Sequence, residues 1–377
     1  MHILVSLPLD EPVEEDILLS NVRRGLGSSG KDCDSLALPG IESESIDCLF
    51  DAEERVSALE TLAQDTIRKY LAAYNAISEA PVSDTQILGK TFDHFLKTFA
   101  WNSTKYPQST KITDLLSSME QELATAIEAY SEKNRMYLNE KKKKEALSRR
   151  RSGSIYDLDI NTIAYKEGEL TANSFFRKYY LGIREKLREK DVEKLESIEG
   201  LFVESRNCVF KGTDGEVYEI LGRSGAKEEV LKDLEKQGYY VKEQAETYAE
   251  YLKLCEQDEE ALVQFEQVRN AVFLLVSANL QKLYGLLVHT KHLGVYIESI
   301  LRFGLPSTFC FFILEFKNQG KVLSKWKKLA KTWKYSKRVT TVDKKISSSS
   351  AESVYDFVYK IVAGFEMSPS EEAAGEI

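Results

Sequence analysis

Two long stretches of the chain place apolar residues at alternating three- and four-residue intervals, and this spacing constrains the fold more than any other feature. Between 110 and 147 the seam runs through Ile112, Leu116, Met119, Leu123, Ala126, Tyr130 and Tyr137, with charged residues elsewhere. It predicts one helix of roughly 55 Å at ~1.5 Å per residue. A second seam runs from about Gln244 through Tyr248, Leu252, Cys255, Leu262, Phe265, Val268, Val272 and Leu275, with Gly285 and Gly294 expected to break it. So narrow a stripe cannot hold an isolated helix together in water, and the economical arrangement packs the two antiparallel.

The segment between them becomes an insertion with α+β character. A strand is expected at Phe175 to Ile183, a charged helix near Asp191 to Glu199, and strands at Leu201 to Phe210 and Val217 to Gly222, the last two joined by a turn containing Asp214-Gly215. A helix from Ala226 to Gln237, capped by Ser224 and stopped by Gly238, leads into a strand at Tyr239 to Val241. Residues before 110 and after 285 must then meet at the other end. The expected fold is a helix-rich, elongated α+β arrangement of foot, neck and head. Its foot comprises 1–109 and 285–365, its antiparallel neck helices 110–150 and 241–284, and its head 151–240, with an acidic disordered tail at 366–377.

At 377 residues, 43% of them apolar, the chain can bury two cores. A net charge of −9 argues against a dedicated nucleic-acid binder. The charge is uneven, because ten basic residues face one acidic residue between Lys321 and Lys345, leaving that segment at +9 and the remainder at −18. Such polarity suits docking to charged protein partners. Five dispersed cysteines, Cys33, Cys48, Cys208, Cys255 and Cys310, fit a reducing compartment and form no zinc framework. The start of the chain lacks the charged n-region of a signal peptide. Ala271 to Val288 is the most apolar span, but Asn279, Gln281 and Lys282 interrupt it, so a buried helix is expected rather than a membrane crossing.

The densest motif is His289-Thr-Lys291-His-Leu-Gly-Val-Tyr-Ile-Glu298-Ser-Ile-Leu-Arg302-Phe-Gly304-Leu-Pro306. Leu293, Tyr296 or Ile297, Ile300 and Leu301 mark a buried helical face ending near Arg302, and Gly304 and Pro306 stop the helix. Nothing in the motif is catalytic. It closely resembles the C-terminal signature of the C subunit of the eukaryotic vacuolar-type proton ATPase (V-ATPase). Phe99-Ala-Trp101-Asn-Ser-Thr-Lys105-Tyr106-Pro107 is similar to that family's F-x-W-x-x-x-K-Y-P, and Gly153-Ser154, Ile3 to Pro8 and Val354 to Ile361 match further family marks in order. Between 155 and 240 no motif is shared, and Arg184 and Glu204 replace the family's prolines beside two strands.

The resemblance implies a foot, neck and head, and a non-catalytic stator component without a cofactor. The head would hold one peripheral stalk of the E and G subunits. The foot would hold a second stalk and the cytosolic N-terminal domain of the membrane-sector a subunit. The protein would leave the complex when the pump disassembles, and would sit in the cytoplasm and on the cytosolic face of vacuolar and endosomal membranes without entering them; actin is a further expected partner. The competing class is an adaptor that binds cytoskeleton or membrane through basic helical segments.

Other signals have blander readings. Gly25-Leu-Gly-Ser-Ser-Gly30-Lys31-Asp32 nearly spells a phosphate-binding loop, but Asp32 replaces the Mg²⁺-holding hydroxyl, and a helix-like Ile17 to Arg24 stands where a strand should precede; a flexible loop is expected. His289 and His292 share a helical face, yet no other ligand completes a metal site, so packing or hydrogen bonding is expected. Lys141 to Lys144 and Arg149 to Arg151 read as a solvated helix end, with Ser152 resembling a basophilic kinase site. Val322, Trp326, Leu329 and Trp333 form a stripe among lysines, expected to be buried in the foot rather than laid on lipid.

Overall fold

In a computed structural model the described residues are 1–9, 12–30, 33–36, 45–78, 92–97, 99–107, 110–164, 175–184, 187–212, 214–242, 244–245, 248–304, 308–334 and 355–362. Pro306, the tail from 366 and the basic stretch after Lys334 therefore lie outside them. The helices are α1 (Glu15–Leu26), α2 (Ile46–Ile77), α3 (Phe92–Lys97), α4 (Ile112–Ser152), α5 (Ile160–Ala164), α6 (Glu189–Glu196), α7 (Lys227–Lys236), α8 (Tyr248–Phe303) and α9 (Gln319–Lys331). The strands are β1 (His2–Leu9), β2 (Cys33–Leu36), β3 (Phe176–Arg184), β4 (Leu201–Lys211), β5 (Gly215–Arg223), β6 (Tyr240–Lys242), β7 (Thr308–Glu315) and β8 (Val358–Val362). The chain divides into a terminal unit, Met1–Ser131 with Phe273–Ile377, and a central unit, Glu132–Val272.

In the terminal unit β1 lies inside an antiparallel sheet of order β2-β7-β1-β8, with His2 opposite both Glu315 and Val362. All eight β1 residues are buried because both sheet faces are covered. Ile3, Val5 and Leu7 meet α1 through Leu18, Val22 and Leu26, and α9 through Val322 and Trp326. Leu4, Ile313 and Val358 turn the other way, onto Val288 and Val295 of α8 and Leu96 of α3. The expected burial of the α9 stripe holds: Trp326 is fully buried, and the Trp333 indole N–H donates to the Pro8 carbonyl at 2.9 Å.

Beside this sheet α2 packs on α4 and α8. Arg55 forks onto both carboxylate oxygens of Glu120 at 2.9 and 2.7 Å, the Tyr70 hydroxyl donates to the Ala126 carbonyl at 2.8 Å, and Tyr74 meets Phe273 with ring centroids 5.2 Å apart. The expected α4 seam is buried at Ile112, Leu116, Met119 and Leu123.

The central unit holds a second antiparallel sheet, order β4-β5-β3-β6. Leu195, Ile198, Val230 and Leu234, on or beside α6 and α7, cover one face over Tyr179, Leu181, Ile183 and Ile220. Ile155, Leu158 and Ile160 cover Tyr180 and Val217 on the other. Asp214, in the β4–β5 turn, accepts hydrogen bonds from the Ser154 hydroxyl and the Ile155 N–H. These bonds, the Ser154 hydroxyl first, hold its carboxyl below the usual range. Here α4 and α8 run antiparallel: Tyr137 meets Phe265 and Arg150 lies 3.7 Å from Asp258. Tyr248 and Leu252, expected on the seam, are exposed.

Gly285 and Gly294 do not break α8, which is continuous from Tyr248 to Phe303. Tertiary packing outweighs the ~1 kcal/mol penalty of glycine in a helix. At Gly294 the missing side chain is required, since a Cβ would lie 2.8 Å from Lys360 Nζ and 2.9 Å from Val56 Cγ1.

Candidate functional site: the cluster around His289

The two motifs, 187 residues apart, meet in the terminal unit. The Asn102 backbone N–H donates to His289 Nε2 at 3.1 Å. The ring proton therefore sits on Nδ1, which donates to the Gly285 carbonyl at 2.6 Å. Phe99, Trp101 and Tyr106 meet the imidazole edge-on at centroid distances of 4.7, 5.0 and 4.9 Å. Burial, with Lys105 adding to it, holds His289 below the ordinary histidine pKa. Its neutral form is the one the Asn102 bond requires.

His292, one turn on, stacks on Phe99 at 4.7 Å and donates from Nδ1 to the Val288 carbonyl at 2.6 Å, while its buried Nε2 has no hydrogen-bond partner. Complete burial pushes its pKa down to about 4. Among the described residues no group of three or more His, Cys, Asp or Glu side chains is arranged to hold a metal ion.

The remaining motif residues fasten α8 to its surroundings. The Trp101 indole donates to the Tyr106 carbonyl at 2.9 Å, and the Tyr106 hydroxyl donates to Glu122 at 2.8 Å, where Lys105 also pairs. Burial, then Glu122, raises the Tyr106 pKa. Lys291, 4% exposed, pairs with Glu60 of α2, and Lys360 of β8 reaches the same carboxylate at 2.8 Å. Burial pushes the Glu60 pKa up, but the Lys360 and Lys291 ammonium groups together hold it below the usual value; burial also lowers that of Lys291. Ser299 joins Ser6 of β1 at 2.8 Å. Arg302 pairs with Glu298 at 2.5 Å and donates to the Tyr355 and Phe357 carbonyls at 3.2 and 3.3 Å. Gly304, with φ of 79°, closes the helix as its N–H donates to the Ile300 carbonyl at 2.8 Å.

The structure thus brings together Phe99, Trp101, Lys105, Tyr106 and His289, and links Lys291 and Arg302 to other elements, with Glu298 pairing to Arg302 along α8 itself. Pro107 is exposed beside the cluster. Ser152 lies in the central unit, exposed at the last turn of α4, its hydroxyl on the Ser148 carbonyl at 3.3 Å. Sequence reasoning missed Glu60, Lys360 and Ser6. A carboxylate beside the apolar seam of α2 was the one available signal for Glu60.

The near phosphate-binding loop stands in the reverse context. Helix α1 runs into a short 3₁₀ turn, Gly27–Gly30, and strand β2 follows it, whereas a phosphate loop follows a strand and opens a helix. Lys31 and Asp32 lie outside the described residues. The arrangement around His289 offers packing, hydrogen bonding and buried ion pairs, so it is a structural lock on α8.

A family model described as the V-ATPase C subunit matches residues 2–361. Over 325 residues the chain is 23% identical to the V-type proton ATPase C subunit, form 2, of Ascidia sydneiensis samea, spanning 83% of each chain. It is 21% identical over 319 residues to the V-type proton ATPase C subunit of Caenorhabditis elegans, spanning 83% of this chain and 82% of that one. The Arabidopsis thaliana protein of the same name is 21% identical over 301 residues, spanning 76% and 78%.

Proposed function

Because the chain belongs to the V-ATPase C subunit family, we propose that it is a non-catalytic stator component of the proton pump, joining E–G peripheral stalks to the membrane-sector a subunit. The family match over residues 2–361 is the observation that carries this reading. On it, the head at 151–240 binds one E–G stalk, and the foot, 1–109 with 285–365, binds a second stalk and the N-terminal domain of the a subunit. The neck, 110–150 with 241–284, carries load between them.

Rotary catalysis exerts torque on its stator, so a connector needs stiffness. The 56 residues of α8 form one helix about 84 Å long at ~1.5 Å per residue, and its C-terminal turns are tied to α2, β1 and the segments beside β8 by Lys291, Ser299 and Arg302. Separate, individually modest contacts suit an assembly that forms and dissolves reversibly. The reading places the protein at the cytosolic face of the membrane carrying the pump; binding to actin filaments is an additional contact testable by co-sedimentation. The full chain should bind purified E–G heterodimer and the N-terminal domain of the a subunit, with affinity falling as salt rises. Absence of binding to both at low salt would refute the function.

A further inference from the structure

The end of helix α4 carries a modification signal that the stator reading leaves unused. Ser152 follows Arg149, Arg150 and Arg151. Serine kinases that read arginine look for it two and three residues before the acceptor, where Arg150 and Arg149 stand. All four side chains are exposed. The neighbouring serines do not qualify: Ser148 follows Glu145-Ala-Leu147, and the hydroxyl of half-buried Ser154 is committed to Asp214.

A kinase cleft takes its substrate as an extended strand, so Arg149 to Gly153 must leave the helix before transfer can occur. Few bonds hold that turn. The Gly153 N–H donates to the Arg149 carbonyl at 2.8 Å, the Asp159 N–H to the Arg150 carbonyl at 2.7 Å, and the Ser152 hydroxyl to the Ser148 carbonyl at 3.3 Å. Arg150, half exposed, adds a tie to α8 through Asp258, 3.7 Å away. An earlier tie, Lys144 on Glu266 and the Phe265 ring, belongs to the turns before it. Past Gly153 the chain is anchored again, because Asp214 accepts from the Ser154 hydroxyl and the Ile155 N–H. The stretch a kinase needs thus stops just short of the anchor.

We propose that Ser152 is the acceptor of an arginine-directed serine kinase, gated by the Arg150–Asp258 pair, and that its phosphate unwinds the last turn of α4. In the transfer the Ser152 Oγ attacks the γ-phosphorus of ATP, the bond from that phosphorus to the bridging oxygen breaks, ADP leaves, and the hydroxyl proton passes to the kinase's catalytic carboxylate. The product carries about −1.5 to −2 charges at pH 7. It stands at the C-terminal end of a helix, where the dipole is already negative, so the helical form is disfavoured. Within the intact turn the phosphate shares a face with Arg149, while Arg150 points towards α8. Unwinding lets both guanidinium groups reach the phosphate in charge-assisted hydrogen bonds and carries Arg150 off Asp258. The site stands whether or not the stator reading does, and it puts the α4–α8 pairing under covalent control.

The test incubates the full chain with ATP, Mg²⁺ and the catalytic subunit of protein kinase A as the arginine-directed probe, beside a synthetic peptide of residues 147–155, and locates phosphate by mass spectrometry. Ser152 should be labelled in both. Arg149→Ala should slow labelling of the full chain at least tenfold. Asp258→Asn, which releases Arg150, should speed it about twofold to fivefold, the range that a half-exposed ion pair spans. Circular dichroism melts verify that both variants fold. Hydrogen exchange should then report the unwinding, with the Gly153 and Asp159 amides exchanging at least tenfold faster in the phosphorylated chain than in the unphosphorylated one. Labelling of the peptide but not of the chain, or of neither, would overturn the acceptor assignment. An unchanged rate in Asp258→Asn would overturn the gate, and equal exchange in the two forms would overturn the unwinding.

Discussion

Lowering the pH from 7 to 5 should cost the terminal unit about 2 kcal/mol through His292 alone. In the unfolded chain this imidazole titrates near ~6.5. In the fold it is 2% exposed, stacked on Phe99, with no acceptor for a second proton, and burial depresses its pKa to about 4. Since the folded value lies below the unfolded one, the unfolded chain takes up the proton first. The contribution is fully present above ~6.5 and is lost as pH falls through about 4. Linkage between these two values amounts to about 2 kcal/mol at pH 5 and about 3 kcal/mol once both states are protonated. The assay is urea unfolding followed by tryptophan fluorescence, because all three tryptophans, Trp101, Trp326 and Trp333, belong to the terminal unit. His292→Leu removes the titration, and other groups, including His289, remain in both proteins. The loss between pH 7 and 5 should therefore be about 2 kcal/mol smaller in the variant, whatever its absolute stability. Equal losses in the two proteins, or an NMR titration placing His292 near 6.5, would refute the argument.

Glu60→Gln should destabilise the terminal unit by ~3–5 kcal/mol in the same assay, because it leaves Lys291 buried without its carboxylate, and adding Lys291→Met should recover part of that loss. Gly294→Ala should cost ~1–3 kcal/mol through overlap with Lys360 and Val56, whereas Gly285→Ala, whose Cβ meets nothing within 4 Å, should stabilise by ~0.5–1 kcal/mol. Equilibrium dialysis with ATP and Mg²⁺ should detect no saturable site at Gly25 to Asp32; binding that disappears in Lys31→Ala would overturn the order-of-elements argument. Removing everything from Phe309 onward deprives β1 of both neighbours, so residues 1–100 should become sensitive to limited proteolysis while the central unit stays resistant.

Helices α4 and α8 were legible because their buried faces are written into local spacing, and the central strands because turn residues punctuate them; the 32-residue α2 was not identified from the sequence. Strand β2 was not, since Cys33-Asp-Ser-Leu36 has no pattern of its own and becomes extended only by pairing with β7. The α8 glycines misled for the same reason in reverse: local propensity disfavours them, but Val56 and Lys360 demand the space at Gly294. Both halves of the His289 cluster were readable as motifs, yet nothing local says that Asn102 reaches His289. Glu60 was harder still. Its partners stand 231 and 300 residues away, and a lone carboxylate near a helical seam is normally just solvated.

The placement of β1 between two C-terminal strands also sets an order of events at the ribosome. His2 finds its partner in β8 at Val362, 360 residues later, which at ~5–20 residues per second means an interval of roughly 20–70 s during synthesis. Until β7 is made at Thr308–Glu315 the strand His-Ile-Leu-Val-Ser-Leu-Pro-Leu, destined for complete burial, has neither hydrogen-bonding neighbour, and until β8 follows it has only one, so it is exposed to wrong pairings. The central unit, contiguous from Glu132 to Val272, can complete its own sheet first. The nascent protein thus carries a finished middle while β1, made before it, still waits for the strands on either side.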